Sequence, residues 1–344
     1  MTANSSLSGM VSPIYRRARR RDLRPDRKGS ATMAQLLVTV TRTQGNNRAL
    51  KAGTVSPAGY PLTFNEVPVL VDGFRRMVRE LAYDISEMAL TTYLCAREHG
   101  VAFTALPIFL VRGFHHGAIL VRRDGEITKP SQLEGRRVGV NRGYTVTTGV
   151  WARAILALEH GLDLDSVTWV LSGDEHVEAY RPPANVVPAG PGKKLDQMLR
   201  DGEVDAVIGA PIDGPDVAPL IPAPEEAALA ALRGCGFYPI NHLVVVRNDV
   251  LASDPAIATT VFEAFAESKR RYVAGLRLGA INDSTDRMYA RVMAETGTDP
   301  LPYGIGPNRK VLELLTAQAV AQHILREPVD VDSLFAPSTV DLVG

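Results

Sequence analysis

Arg136–Gly161, RRVGVNRGYTVTTGVWARAILALEHG, reads as a strand, a glycine-containing turn and a helix in immediate succession. RRVGV is a compact apolar strand, and Val150, Ile155, Leu156 and Leu158 recur at helical spacing after it. The first amide N–H groups of a helix have no partner within it, and the positive end of the helix dipole lies there. Thr145, Thr147 and Thr148 beside that end therefore suggest a cradle for a carboxylate or phosphate. The same pattern also fits a threonine acting only as an N-cap. Arg142 and Tyr144 add a cation and a phenol to the turn, and Trp151 is expected in the core.

Working outward, the same alternation recurs on both sides. Upstream lie LLVTVT, a helix from Phe74 to Leu81, a short strand Asp84–Ser86 running into a helix, FTALPIFLV, the loop RGFHHG and AILVRRD. Downstream lie VTWVLS, KKLDQMLRDG, DAVIGA, EEAALAALRG and HLVVVRND. AILVRRD and HLVVVRND match in pattern and length and bracket a self-contained α/β unit, which predicts two crossings between two lobes. The expected division is a first lobe of 33–122 plus 243–344 and a second of 123–242. From Pro255 the chain reads as helical, with strong amphipathic segments in FEAFAESKRRYVAGL and NRKVLELLTAQAVAQHIL. Two α/β lobes joined by two crossings make a cleft, whose ligand belongs at strand C-terminal ends and helix N-termini.

Composition sets bounds. The 344 residues are 45% hydrophobic and carry no net charge. Before Met33 there are eight basic and two acidic residues, which leaves 30 basic and 36 acidic residues for the remainder. The mildly acidic body argues against nucleic acid as a partner. Residues 1–32 read as a disordered basic tail without the apolar run of an export signal, and Met33 is an equally good start. Cys95 and Cys235 are too few for a disulfide framework or a zinc set, which fits a cytoplasmic protein. No stretch is long and apolar enough for a membrane span.

Several side chains could carry chemistry. RGFHHG places Arg112, His115 and His116 in one loop, with a guanidinium suited to a carboxylate and imidazoles suited to proton exchange. Adjacent histidines on an extended chain point different ways, so one of the two is expected to face the cleft, and a hinge-anchoring histidine is the alternative. His242, preceded by Asn241, stands where the chain re-enters the first lobe, either to move a proton or to tie the hinge. Glu87 is either a cleft residue or the ordinary acidic start of a helix. Arg42 lies in the loop after the first strand. No metal-ligand spacing, phosphate loop or dinucleotide fingerprint occurs.

AYDISEMALTTYL, ALPIFLVRGFHHGAILVR, LEGRRVGV followed by TTGVWARAIL, GFYPINHLVVVR, DPLPYGIGPNRKVLELL and SLFAPST together resemble the 4,5-dihydroxyphthalate decarboxylase family. The phrases span nearly the whole chain after Met33. The resemblance implies the two-lobed fold of type II periplasmic binding proteins and a cytosolic decarboxylase of a hydroxylated aromatic carboxylate that uses no cofactor. It implies His115, His116 and His242 as acid and base. Arg42, Glu87, Arg112, Arg142, Tyr144, Thr145, Thr147, Thr148 and Asn241 would hold the substrate. The chain departs from the family pattern at His115, where an arginine is usual, and in NRGYTVTTG, where a Pro-Glu-Tyr phrase is usual. The fold by itself also suits a non-catalytic solute-binding protein that delivers a small organic anion to an ABC transporter. A homo-oligomer is compatible with either reading.

Overall fold

The computed structural model describes residues 36–344, so the basic tail and the alternative start at Met33 lie outside the described residues. Strands β1 (Leu37–Val40), β2 (Leu62–Phe64), β3 (Ile85–Ala89), β4 (Phe103–Arg112), β5 (Ile119–Arg122), β6 (Arg137–Val140), β7 (Thr168–Leu171), β8 (Val186–Pro188), β9 (Ala206–Ile208), β10 (Val217–Pro219) and β11 (Ile240–Arg247) form two sheets. The first has the order β2-β1-β3-β11-β4 and the second β10-β5-β9-β6-β7-β8. Helices α1 (Arg48–Lys51), α2 (Leu70–Glu80), α3 (Leu90–Glu98), α4 (Thr147–His160), α5 (Leu195–Arg200), α6 (Pro224–Cys235), α7 (Asn248–Ser253), α8 (Ala256–Arg277), α9 (Ser284–Thr296) and α10 (Arg309–Ala321) connect or cover the strands.

Each sheet is the centre of one lobe of a two-lobed α/β fold. The chain leaves the first sheet after β4, enters the second at β5, and returns between α6 and β11. Two crossings are therefore present, as the matched strands suggested. The strand Ile119–Arg122 pairs with β9 and β10 in the second sheet, although it was expected before the 122/123 boundary, in the first lobe. β11 begins at Ile240, two residues ahead of His242, and runs antiparallel to both β3 and β4.

The apolar runs explain the layering. Every residue of β3 and nearly every residue of β4 is buried, as befits strands covered on both faces. The helix Thr147–His160 ends where Gly161 adopts φ 68°, a left-handed cap that glycine enters without penalty. Its inner face carries Val150, Trp151, Ile155 and Leu156, all 1% exposed or less. Leu158 is 53% exposed and lies on the outer face, so the periodicity that placed it inward ran one position too far. Trp151 donates from Nε1 to the Ile240 carbonyl at 2.9 Å, which ties this helix to the second crossing. Among the described residues no helix is long and apolar enough to cross a membrane.

Candidate active site between the lobes

Glu87 lies on β3 rather than at a helix start, because the strand continues to Ala89 before α3 begins. Its side chain is fully buried. Burying a carboxylate is costly unless it is well bonded, and this one is. Its Oε2 accepts the Arg42 main-chain N–H at 2.9 Å and Gln44 Nε2 at 3.3 Å. Its Oε1 stands 2.6 Å from His242 Nδ1. His242 is the cross-strand partner of Ala89, the residue that precedes α3, and its ring meets Phe74 of α2 edge-on at 5.2 Å. With Nδ1 held by a carboxylate, Nε2 is the nitrogen left for a ligand, and the carboxylate stabilises the imidazolium that forms when Nε2 takes a proton. The His242 side chain is 19% exposed.

A cavity of about 410 Å³ in the first lobe borders the residues that hold Glu87. Its lining includes Arg42, Gln44, Val111, Arg112, Asp283 and Asp286. Val111 is the partner of His242 in the β11–β4 pairing, and Arg42 and Gln44 are the residues that hold Glu87. The volume suits one substituted aromatic ring.

The threonine cradle is present, but the protein fills it. Glu175, in the loop after β7, accepts the Thr145 N–H at 3.2 Å and the Thr145 hydroxyl at 2.7 Å, and it accepts the Tyr144 N–H as well. Thr147 Oγ1 lies 2.8 Å from the Thr91 hydroxyl and accepts the Thr91 N–H at 3.2 Å. The N-termini of α3 and α4 thus meet across the lobes through Thr91 and Thr147, with Glu175 as the internal anion at the start of α4. Thr145 and Thr147 are buried, with their hydroxyls bonded within the protein. The Tyr144 ring is buried under the Arg153 guanidinium at 3.8 Å, and only its main chain serves the cradle. Thr148 is half-buried beside Gly209.

The RGFHHG loop divides three ways. Arg112 Nη1 donates to Asn308 Oδ1 at 2.7 Å and Nη2 to the Tyr238 carbonyl at 2.5 Å, with the guanidinium stacked 4.1 Å from the Tyr238 ring. Two of its nitrogens are thus bonded within the fold, and burial holds its pKa down at about 10. His115 is buried with Nε2 3.0 Å from Asn241 Oδ1, and desolvation lowers its pKa to about 4. His116 is fully buried, with Nε2 3.1 Å from Glu159 Oε1, and burial depresses its pKa despite that partner. Glu159 lies at the C-terminal end of α4, roughly 18 Å of helix from Thr147 at 1.5 Å per residue. His116 and His115 therefore sit at the crossings, and the geometry does not bring them together with His242. Asn241 serves as the partner of His115.

Arg142 behaves differently. It is exposed, has φ 71°, and its N–H donates to Ser172 Oγ at 2.8 Å. Gly173 packs beneath it, where an added Cβ would lie 3.2 Å from the Arg142 Cα. A left-handed backbone at a non-glycine residue is held only by its surroundings and concentrates at functional sites. Desolvation and the nearby Arg75 lower its pKa.

The sequence reading passed over the loop Ser172–Glu178, although it too stands at a strand C-terminal end. α2 clasps it: Arg75 and Arg79 reach Asp174 at 2.6 and 3.0 Å, and Arg79 donates to the Glu175 and His176 carbonyls at 2.8 and 3.2 Å. His176 is buried, with Nδ1 3.1 Å from Thr92 Oγ1 and its ring 6.3 Å from Phe74. Phe74 thus meets two histidine rings edge-on, one from each lobe.

A curated 4,5-dihydroxyphthalate decarboxylase of Comamonas testosteroni is 29% identical over 290 residues, covering 78% of this chain and 86% of that protein. This chain is similar to the 4,5-dihydroxyphthalate decarboxylases along most of its length. A decarboxylase of the same name from Pseudomonas putida is 38% identical over 144 residues, 40% of this chain and 55% of that one. No protein-family model matches this chain. Its fold is that of periplasmic binding proteins. The periplasmic sulfonate-binding protein SsuA of Methylobacillus flagellatus KT superposes with a TM-score of 0.51 at 13% identity, over 90% of this chain and 93% of that one. A conserved Candida albicans gene product with the generic periplasmic binding protein fold gives 0.50 at 12% identity, over 90% and 98%.

Proposed function

We propose that this chain removes one carboxylate from a hydroxylated phthalate, as the names of its relatives suggest, with His242 as the proton carrier. The observation that carries the reading is the Glu87–His242 pair, in which a fully buried carboxylate holds Nδ1 of a partly exposed imidazole. In 4,5-dihydroxyphthalate each carboxylate is para to a hydroxyl. Loss of that hydroxyl proton places electron density on the ring carbon bearing the carboxylate. A proton from His242 Nε2 adds to that carbon, the carbon–carboxyl bond breaks, and carbon dioxide leaves as the ring regains aromaticity. The phenolate and the imidazole then each take up a proton from solvent. Glu87 favours the imidazolium that makes the transfer possible. Arg42 and Arg142, both exposed at the ends of strands from different lobes, are the anchors assigned to the two carboxylates. On this reading the protein acts in the cytoplasm on a small dianionic aromatic acid.

The test is incubation of the purified protein with 4,5-dihydroxyphthalate, following 3,4-dihydroxybenzoate by chromatography together with released carbon dioxide. Both products are expected in equal amounts, and H242Q is expected to form neither. Binding without turnover would instead favour the solute carrier that the fold also accommodates.

A further inference from the structure

We infer that Asn47 is a positioning residue that aims the Glu87 carboxylate at His242 by building the turn that holds it. This assignment rests on the decarboxylase reading above. Strand β1 runs parallel to β3 with Thr39 beside Ile85 and Val40 beside Ser86, so the residues that follow β1 arrive alongside Glu87. Register brings that turn near the carboxylate without aiming its donors. Residues 41–44 belong to neither strand nor helix, so no regular ladder fixes their main chain.

Asn47, itself fully buried, supplies the missing bonds. Its amide oxygen accepts the Gln44 main-chain N–H at 2.8 Å, and its amide nitrogen donates to the Arg42 carbonyl at 2.8 Å and to Thr41 Oγ1 at 3.1 Å. Donor and acceptor ends of the side chain are thus both engaged by the turn. That turn delivers the Arg42 N–H and Gln44 Nε2, at 2.9 and 3.3 Å, to Glu87 Oε2. With Oε2 held by two donors, Oε1 is the oxygen left for His242 Nδ1 at 2.6 Å. Asn47 therefore acts on the pair through Arg42 and Gln44. Aspartate has the oxygen but lacks the donors, and glutamine is one methylene longer than the turn admits for all three bonds. Lys51 braces the same turn from outside, with Nζ 2.8 Å from the Thr41 carbonyl and 2.9 Å from Thr43 Oγ1. A carboxylate moved out of line with the imidazole loses rate more than binding.

The experiment compares wild type, N47D and K51M, each alone and combined with E87Q. Steady-state kinetics on 4,5-dihydroxyphthalate are measured beside thermal midpoints and the downfield proton resonance that a histidine Nδ1–H bonded to a carboxylate gives in NMR spectra. N47D is expected to lower kcat by about 10–100-fold with KM little changed, and to shift or broaden the downfield resonance. K51M is expected to move both in the same direction by less, and it decides the matter if N47D does not fold. In the E87Q background neither substitution is expected to lower kcat further, because the charge they aim is gone. A purely structural Asn47 would lower the midpoint, leave the resonance in place and give a loss in kcat additive with that of E87Q; that result would overturn the assignment. A wild type that shows the resonance without turnover would overturn the decarboxylase reading alone, since the resonance in the variants still tests the aim of Glu87.

Discussion

His242 Nδ1 lies 2.6 Å from Glu87 Oε1 across the β11–β3 pairing, and the other carboxylate oxygen is held by the Arg42 main chain. The carboxylate is thus fixed from the loop side, and the imidazole takes its orientation from it. Replacing Glu87 by Gln keeps the shape and the Arg42 contact but removes the charge. E87Q is expected to lower kcat by about 10²-fold, within the range for general acid–base groups, with KM little changed. Steady-state kinetics against pH check this, and an unchanged kcat would remove His242 from the proton-transfer role.

Arginines in the cleft region divide into anchors and struts. R142A is expected to raise KM by about 10-fold or more, the loss of a charge-assisted contact, without moving the thermal midpoint. R112M is expected to destabilise the fold by about 1–3 kcal/mol, because Asn308 Oδ1 and the Tyr238 carbonyl lose their donors. Denaturant titration and substrate kinetics on both variants separate the two roles.

The Glu175 carboxylate fills the start of α4, and its removal strands the Tyr144 and Thr145 amides. E175A is expected to cost about 1–3 kcal/mol of stability. G143A tests the same contact from the other side, since its Cβ would lie 2.6 Å from Glu175 Oε2. Its expected outcome is a lowered midpoint that E175A does not lower further, because both substitutions act on one contact. Additive losses in the double variant would show that the two residues act separately.

His115 and His176 both have native pKa values of about 4, below the ordinary 6.5, chiefly through burial. Between those values the unfolded chain binds protons that the native chain does not, so stability falls as pH drops from about 6.5 towards about 4. H115N is expected to flatten that slope by about one proton, measured as urea midpoints across the range. An unaltered slope would mean that His115 is not neutral and buried in solution.

Much of the architecture was legible because it is written in period and punctuation. The apolar runs of Phe103–Arg112 and Ile240–Arg247, and the helical spacing from Val150 to Leu156, survive as elements because burial enforces them. The position of Glu87 was not legible, because ISEMA has no alternation by which a fully buried strand differs from a helix start. Of the histidines, His242 pairs with Glu87 at the second crossing. The pairing of His116 with Glu159, 43 positions away, was not legible because only the packed fold brings the two together. Glu175 and His176 escaped notice for the opposite reason. SGDEHVE looks like any polar loop, and its place at a strand end was the one signal available.

The internal carboxylate at the start of α4 has a consequence for how this scaffold changes its diet. A helix end left open accepts whatever anion fits, and its preference can drift with each guest. Here that berth is taken by the chain itself, so the turn Asn141–Val146 is in its final shape before any guest arrives. Discrimination between guests then falls to side chains outside that turn, and the helix start keeps its shape whichever guest binds.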